Sequence, residues 1–291
     1  MKLTDIGTIK DVMERHGLAF QKKYGQNFLI SESVPQKTAQ AALDNCGSGA
    51  RTRAALEIGP GIGTLTCELC RRFDRVCAVE IDSSLLPALG ETLAEFDNFE
   101  IINSDVLKVK LDNLVSEKFG DADVAVCANL PYYITTPILM YLLESGDRFT
   151  NITVMVQREV ADRLCAKAGS AEYGAITASI AYRGKAEKLF GVPAGCFYPA
   201  PKVDSAVVRI TLYDEPAVKA ANEALLFDVI KAAFAQRRKT LVNALSAGLP
   251  NVNKELVTRV LTDCNIDEKI RGEKLDIGSF ARISDGIFNA M

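Results

Sequence analysis

Short apolar runs alternate with longer segments of helical period over most of the chain. Seven of these runs are candidate strands, at residues 54–58, 76–81, 100–102, 124–128, 152–156, 188–192 and 206–212. Between them lie amphipathic segments such as 83–95, in which leucines recur at positions 85, 86, 89 and 93. Alternation of this kind predicts an α/β fold built on a parallel sheet.

The pattern changes after the segment Tyr213-Asp-Glu-Pro216. From Val218 onward only helical periodicity is found. A length of 291 residues is enough for about two domains of roughly 150 residues each. We therefore predict one domain at 1–214, with an N-terminal extension at 1–20, and a smaller all-helical domain at 215–291.

Composition narrows the chemistry that the chain can perform. It is 48% apolar and 24% charged, with one histidine, His16, and no tryptophan. His16 lies in a polar segment of helical period, Thr8 to Gly17, where a Ser-His-Asp triad is not expected, and a single histidine excludes a multi-histidine metal site. We expect His16 to be exposed. The CxxC pair Cys67–Cys70 lies inside a predicted helix without a second pair, so neither zinc nor redox chemistry is expected.

Neither a secretion signal nor a membrane span is expected from the sequence. The eight cysteines stand mostly among apolar neighbours, which favours reduced thiols in a cytoplasmic protein. The net charge of −3 argues, by itself, against an electrostatically driven nucleic-acid binder. That inference depends on where the charges lie.

The first candidate ligand site is the segment Leu56-Glu-Ile-Gly-Pro-Gly-Ile-Gly-Thr-Leu65, in which a strand runs through a glycine-rich turn into a helix. Glycines such as Gly59 and Gly61 let the backbone approach a ligand, and a helix N-terminus offers free N–H groups. The spacing is not that of the dinucleotide fingerprint, and no phosphate-binding lysine follows. Taken alone, the motif is also compatible with a tight turn that binds nothing.

Two acidic residues follow the next strands. Glu80 closes the second strand, where a carboxylate can accept hydrogen bonds from both ribose hydroxyls. Asp105 follows the third, where it can meet the exocyclic amine of an adenine. Each acid alone could be a solvated strand end or a helix cap. Together with the glycine turn, at the carboxyl ends of consecutive strands, they predict a nucleoside pocket.

The segment Asn129-Leu-Pro-Tyr132 follows the fourth strand directly. It could be a plain turn. Read chemically, the Asn129 side-chain oxygen and the Leu130 carbonyl can both accept hydrogen bonds from an NH₂ group, and Tyr132 offers a face for stacking a base. These groups suit methylation of an exocyclic amine, whose nitrogen must be drawn towards tetrahedral geometry.

Four motifs together resemble the ribosomal RNA adenine dimethyltransferases, in particular the small-subunit (16S) enzymes of the KsgA/RsmA family. They are, in chain order, Lys23-Tyr-Gly-Gln-Asn-Phe-Leu29, Glu57-x-Gly-Pro-Gly-x-Gly63, Asn129-Leu-Pro-Tyr132 and Phe197-Tyr-Pro-Ala-Pro-Lys-Val-Asp-Ser205. The resemblance runs from about residue 20 to about residue 245. It implies a Rossmann-like seven-stranded methyltransferase sheet, S-adenosylmethionine as cofactor, and 16S rRNA in the small ribosomal subunit or its precursor as partner of a monomer that uses no metal and no membrane.

The resemblance also implies a role for individual residues. The cofactor would be bound by Asn27, Leu29, Gly59, Gly61, Glu80, Asp105 and Asn129. The target adenine would be held by Asn129, Leu130, Pro131, Tyr132 and Phe197, with the base flipped between Tyr132 and Phe197. Phe197 alone could equally be a packing residue. Transfer of a methyl group to adenine N6, twice per adenosine, would need no histidine base, since positioning and desolvation supply most of the rate.

A local concentration of positive charge modifies the inference from net charge. Lys231, Arg237, Arg238 and Lys239 lie in a stretch without acidic residues. A solvated helix face is one interpretation. We favour a surface that contacts RNA phosphates and is formed by Lys22, Lys23, Lys202, Arg237, Arg238 and Lys239.

Two alternatives to the small-subunit enzyme stay open. A large-subunit adenine methyltransferase of the macrolide-resistance type shares the chemistry, although that family more often carries isoleucine or an altered aromatic in the Asn-x-Pro-Tyr motif. A ribosome-assembly factor with dispensable catalysis would keep the cofactor fold without needing Asn129, Tyr132 and Phe197 intact.

Overall fold

The structure is a computed structural model that describes residues 1–18, 27–47, 51–145 and 148–291. Its strands are β1 Phe28–Leu29, β2 Arg53–Ile58, β3 Arg75–Glu80, β4 Phe99–Asn103, β5 Asp123–Asn129, β6 Asn151–Gln157, β7 Gly184–Val192, β8 Phe197–Tyr198 and β9 Ser205–Leu212. Its helices are α1 Ile6–Arg15, α2 Ser33–Asp44, α3 Thr64–Cys70, α4 Leu86–Thr92, α5 Leu111–Phe119, α6 Thr135–Glu144, α7 Arg158–Leu164, α8 Ala175–Arg183, α9 Glu223–Ala235, α10 Leu241–Gly248, α11 Lys254–Asp263 and α12 Ile277–Ala290.

All seven predicted strands are present and lie in one sheet, in the order β4-β3-β2-β5-β6-β9-β7. The pairs from β4 through β6 are parallel, and β9 pairs antiparallel with β6. The prediction of an α/β fold with a seven-stranded sheet is therefore confirmed, but the sheet is only mostly parallel, because β9 runs antiparallel to β6. β2 pairs with β3 on one side and with β5 on the other, where Ile58 is opposite Ala128. This reversal of strand order is the place where open α/β sheets bind ligands.

Helices cover the sheet and close its core. A cluster of buried residues joins α2 and α3 to the strands, with Ala39, Ala55 and Leu69 fully buried. A second cluster joins α1 to the region of α4 and includes Ile9 and Leu89. Strands such as β2 and β5 are apolar along almost their whole length because both of their faces are buried.

The predicted helix at 83–95 is shorter than its leucine pattern suggests. Residues 83–85 form a single 3₁₀ turn, in which the Asp82 carboxylate accepts a hydrogen bond from the Ser84 backbone N–H at 3.2 Å. The α-helix then runs only over Leu86–Thr92, with a proline in its first turn, where its missing N–H costs nothing. Leu85, Leu89 and Leu93 are nevertheless all buried, as the periodicity predicts.

The described residues form two compact units. The first comprises 1–141, 145–161 and 186–212, and the second comprises 142–144, 162–185 and 213–291. The last boundary between the units, at 212/213, lies two residues before the predicted division at 214/215, which stays a prediction. Within the second unit, α8 is tied to α9 by hydrogen bonds from Tyr182 Oη and Arg183 Nη2 to the Glu223 carboxylate, at 2.7 and 2.6 Å. Contacts of this kind cannot be read from local periodicity.

Candidate functional site

One pocket in the first unit is lined by every residue that the sequence predicts to bind the cofactor or the target base. These are Asn27, Leu29, Gly59, Gly61, Glu80, Asp105, Asn129, Leu130, Pro131, Tyr132 and Phe197. Most of them stand at the carboxyl ends of β2, β3, β4 and β5, and the β1–β8 pair supplies the others. Residues from separate parts of the chain thus converge at the reversal of strand order.

The glycine turn after β2 requires glycine because of its backbone conformation. Gly59 and Gly61 have φ angles of +71° and +61°, in the left-handed region that other residues rarely adopt. The turn therefore presents bare backbone to the pocket, and its Gly61 N–H points towards the Glu80 carboxylate at 3.4 Å.

Glu80 is 5% exposed at the end of β3. Its carboxylate accepts a hydrogen bond from the Asp82 backbone N–H at 2.8 Å. Burial raises the pKa of Glu80, and the backbone donors at Asp82 and Gly61 act in the opposite direction. Ser104 N–H and the Asn103 side chain donate to the Glu80 carbonyl at 3.0 and 2.8 Å, which holds the ends of β3 and β4 together.

Glu57 is a further pocket residue, and no ligand role for it was predicted from the sequence. It is 1% exposed inside β2, and burial, with a smaller contribution from the nearby Glu80, raises its pKa to about 8. Its Oε2 atom, like the Thr64 hydroxyl, is buried without a hydrogen-bond partner among the described residues. Unpaired buried polar atoms are costly, so a ligand with hydrogen-bonding groups fits this wall. The signal in the sequence was an acid inside an otherwise apolar strand.

Asp105 serves as a cap and also lines the pocket. Its Oδ1 accepts a hydrogen bond from the Leu107 backbone N–H at 3.1 Å, which starts a short 3₁₀ turn. Asp105 is therefore a cap, which was one of the interpretations of the sequence. The half-buried residue also lines the pocket, beside Ser104 and Val106.

The Asn129–Tyr132 segment leaves β5 in a tightly bonded turn. Leu130 N–H donates to the Met155 carbonyl at 3.2 Å, and the Thr135 hydroxyl donates to the Pro131 carbonyl at 3.0 Å. The Tyr132 hydroxyl lies 2.9 Å from the Ser205 hydroxyl, on β9. Asn129 is half-buried at the pocket, and Leu130 is 1% exposed. The side-chain amide is thus presented on a turn whose backbone is fixed at both ends.

Of the two roles that the sequence left open for Phe197, packing is observed, and stacking on the target base stays a prediction. Phe197 is 3% exposed and packs in a cluster with Leu29, Met155 and Val207. It also lines the pocket. β8 reaches this position because it pairs antiparallel with β1, with Leu29 opposite Phe197.

The predicted RNA-contacting residues have different surroundings. Arg237 Nη2 donates to the carbonyls of Ala171 and Tyr173 at 2.8 and 3.1 Å and lies 3.7 Å from the Glu273 carboxylate. Arg238, Lys239 and Lys202 are exposed. The basic stretch is not a helix face, because α9 ends at Ala235 and α10 begins at Leu241. Lys22 and Lys23 lie outside the described residues, and Lys231 is paired with Glu144 at 2.8 Å.

His16 and the CxxC cysteines are placed by the packing of their helices. His16 is half-buried, not exposed: its Nε2 lies 2.7 Å from Glu91 Oε2, because α1 packs beside α4. Cys67 and Cys70 are buried on α3, where burial raises their pKa values to about 11 and about 12. Their thiols are therefore poor nucleophiles.

Within the described ranges, no group of three or more His, Cys, Asp or Glu side chains is arranged to hold a metal ion. Among the helices of the same ranges, none combines the length and the apolar character that crossing a membrane requires.

Comparisons with known proteins agree on one family. The sequence model of the family described as "Ribosomal RNA adenine dimethylase" matches residues 17–287. A relative from Bacillus licheniformis named "Ribosomal RNA small subunit methyltransferase A" is 47% identical over 279 residues, covering 95% of this chain and 94% of the relative. A relative of the same name from a Geobacillus species is 45% identical over 284 residues, covering 97% and 96%.

Two solved structures share the fold. A dimethyladenosine transferase from Plasmodium falciparum superposes with a TM-score of 0.66 at 24% identity, covering 85% of this chain and 93% of that one. The 23S rRNA methyltransferase ErmE gives a TM-score of 0.63 at 24% identity, covering 90% and 100%. At this identity the likeness shows the fold alone.

Proposed function

The chain belongs to the ribosomal RNA adenine dimethylase family of methyltransferases, and from this membership we propose that it dimethylates N6 of two adjacent adenosines in the 3′-terminal hairpin loop of small-subunit (16S) rRNA. The methyl donor is S-adenosylmethionine, and the reaction takes place in the cytoplasm during late assembly of the subunit. The observation that carries the proposal is the single pocket that joins the glycine turn, the buried carboxyls and the Asn129–Tyr132 turn.

The half of the pocket formed by the ends of β2, β3 and β4 binds the donor. S-adenosylmethionine supplies a methyl group bonded to a positively charged sulfur. The Glu80 carboxylate accepts hydrogen bonds from the ribose hydroxyls, and Asp105 accepts one from the adenine amine. Asn27, Leu29 and the Gly59–Gly61 backbone lie along the amino-acid end. The unpartnered Glu57 Oε2 and Thr64 Oγ1 give this wall two further hydrogen-bonding groups.

The half formed by Asn129–Tyr132 and Phe197 binds the target. The flipped adenine stacks between Tyr132 and Phe197, with Pro131 at its edge. The Asn129 side-chain oxygen and the Leu130 carbonyl accept hydrogen bonds from the two hydrogens of the N6 amine, which turns the nitrogen lone pair out of the ring plane. With the donor bound, N6 would bond to the methyl carbon as the carbon–sulfur bond breaks, and a proton would leave to water afterwards. Positioning supplies the rate, so no side-chain base is required.

The substrate is tested by offering radiolabelled S-adenosylmethionine with unmethylated small subunits, large subunits and naked rRNA, followed by mapping of the labelled nucleotides. We expect label at two adjacent adenosines of the small-subunit rRNA. Label confined to the large subunit would favour the macrolide-resistance type of activity. Absence of label from all three, with the cofactor bound, would favour an assembly factor that does not depend on catalysis.

We also propose that Arg238, Lys239 and Lys202 bind RNA phosphates, together with Lys22 and Lys23. The support is that the first three side chains are exposed cations. The structure gives Arg237 a second role, because its guanidinium bonds the carbonyls of Ala171 and Tyr173. It thereby holds the 171–173 segment to the turn between α9 and α10, whatever else it binds.

Replacement of Arg238 and Lys239 by alanine should weaken binding to the small subunit. The slope of log K against log salt should become shallower by about 0.8 for each phosphate that is no longer neutralised. The matched control is the double variant Lys254→Ala/Arg259→Ala, which removes two cations from α11. Equal weakening in both double variants would mean that net charge, not this turn, governs binding. Arg237→Ala should mainly lower thermal stability.

A further inference from the structure

The target half of the pocket has two aromatic walls that come from separate parts of the chain. Tyr132 follows β5, and Phe197 lies on β8. A base that stacks between two rings needs them at a fixed separation, because stacking weakens quickly as the gap departs from van der Waals distance. Some part of the fold must therefore hold these two segments at a fixed distance from each other.

Residues 204 and 205 bond to both segments. The Ser205 hydroxyl lies 2.9 Å from the Tyr132 hydroxyl, and Ser205 is 1% exposed. The neighbouring Asp204 accepts a hydrogen bond from the Ala194 backbone N–H at 3.0 Å, through its Oδ1 atom. Ala194 begins the short turn that leads into Phe197. Asp204 thus bonds to the turn that leads into Phe197, and the adjacent Ser205 bonds to the hydroxyl of Tyr132.

The 204–205 segment is itself fixed to the sheet. The Asp204 carbonyl accepts a hydrogen bond from the Arg158 N–H at 3.0 Å, and Ser205 stands opposite Gln157 in the β6–β9 ladder. β6 is paired with β5, whose last residue is Asn129, in register with Met155. The position of the segment therefore follows from the same strands that position the reactive amide. A rigid strand is a more accurate support for a binding group than a loop.

We infer that Ser205 is a positioning residue for the target adenine, and that Asp204 and Ser205 together set the distance between the Tyr132 and Phe197 rings. The inference rests on the proposed function, which gives those two rings their substrate. Ser205 is not among the residues that line the pocket. It acts through the phenol hydroxyl of Tyr132, because this hydrogen bond restricts the side-chain torsions of the ring.

The first experiment measures methyl transfer to small subunits under saturating S-adenosylmethionine. Ser205→Ala and Tyr132→Phe should each lower kcat about fivefold, the size expected for removal of one neutral hydrogen bond. The Kd for S-adenosylmethionine should not change. The double variant should be no worse than either single one, because both remove the same bond. Ser205→Thr, which retains a hydroxyl, should restore most of the rate.

The matched control is Tyr141→Phe, which removes a phenol hydroxyl that bonds the Val109 carbonyl at 2.5 Å, outside the pocket. It should leave kcat unchanged. Additive effects in the double variant, or a fall in cofactor affinity as large as the fall in kcat, would overturn the assignment. Asp204→Ala should also lower kcat. A kcat equal to that of the wild type in this variant would remove Asp204 from the proposal.

A second measurement does not depend on the substrate. The protein is labelled with 3-fluorotyrosine, and the Tyr132 resonance is assigned by its absence in Tyr132→Phe. Ser205→Ala should shift and broaden that resonance, whereas Ser205→Thr should leave it near its original position. An unchanged resonance in Ser205→Ala would overturn the inference. If the wild-type chain methylates no ribosomal RNA but the resonance responds as expected, the proposed function fails and the Ser205–Tyr132 bond stands.

Discussion

The two halves of the pocket are constructed in different ways. In the donor half, Glu57, Glu80 and the glycine turn lie within or directly after neighbouring strands of one sheet, so the register of the strands alone brings them together. In the target half, Tyr132 and Phe197 are far apart in the sequence and meet through β8, β1 and Ser205. Under the proposed function, we therefore expect binding of the donor to depend on buried carboxyl groups at strand ends, and alignment of the target to depend on bonds between distant segments.

The sharpest test of this comparison is Asn129→Ala. We expect kcat to fall by about 100-fold, the effect typical when one hydrogen-bonding group at the reacting atom is removed. Donor affinity should fall much less, since the Glu80 side of the pocket is intact. The measurement is single-turnover methyl transfer together with calorimetric titration of S-adenosylmethionine. Unimpaired transfer at saturating donor would contradict the assignment of the target half.

Glu80→Gln tests the donor half. The amide keeps one acceptor oxygen but lacks the charge that strengthens hydrogen bonds to ribose hydroxyls. We expect the Kd for S-adenosylmethionine to rise about tenfold, which corresponds to about 1.4 kcal/mol. At saturating donor, kcat should change little. A large fall in kcat without a change in Kd would mean that the two halves are not independent. Asp112→Asn, which neutralises an exposed carboxylate on α5, is the control.

Features fixed by local patterns could be predicted from the sequence. The seven strands follow from apolar runs, and the place of the acids Glu80 and Asp105 in the pocket follows from the rule that ligands bind at the carboxyl ends of parallel strands. The pocket's membership was also predictable, but through the family resemblance for Asn27, Leu29 and Phe197. Nothing in the residues around Phe197 indicated that β8 would pair with β1.

What could not be predicted depends on bonds between segments far apart in the sequence. Ser205 closes a recognisable motif, but the partner of its hydroxyl, Tyr132, lies 73 residues away. His16 was expected to be exposed because local pattern does not reveal that α4 packs beside it. Arg237 shows the same limitation: a basic stretch predicts phosphate binding, whereas the fold also uses this guanidinium to hold backbone carbonyls.

A last expected effect concerns the stability of the donor half without its ligand. The Glu57 carboxyl has a folded-state pKa of about 8, against an ordinary value of 4.5. Below about pH 4.5 both the folded and the unfolded chain hold the proton, so this group contributes no pH dependence. Between pH 4.5 and pH 8 the unfolded chain has released a proton that the folded chain retains, so the free energy of unfolding falls as the pH rises.

Glu57→Gln removes this titration while keeping the shape of the side chain. Its unfolding midpoint, relative to that of the wild type, should therefore rise between pH 5 and pH 8, by at least about 3 °C for a domain of this size. The measurement is calorimetry of the ligand-free protein across that range, with the exposed Glu14→Gln as control. If the unfolding midpoints of Glu57→Gln and the wild type changed in parallel with pH, the Glu57 carboxyl would already be ionised in the folded, ligand-free protein over this pH range. That outcome would contradict the prediction.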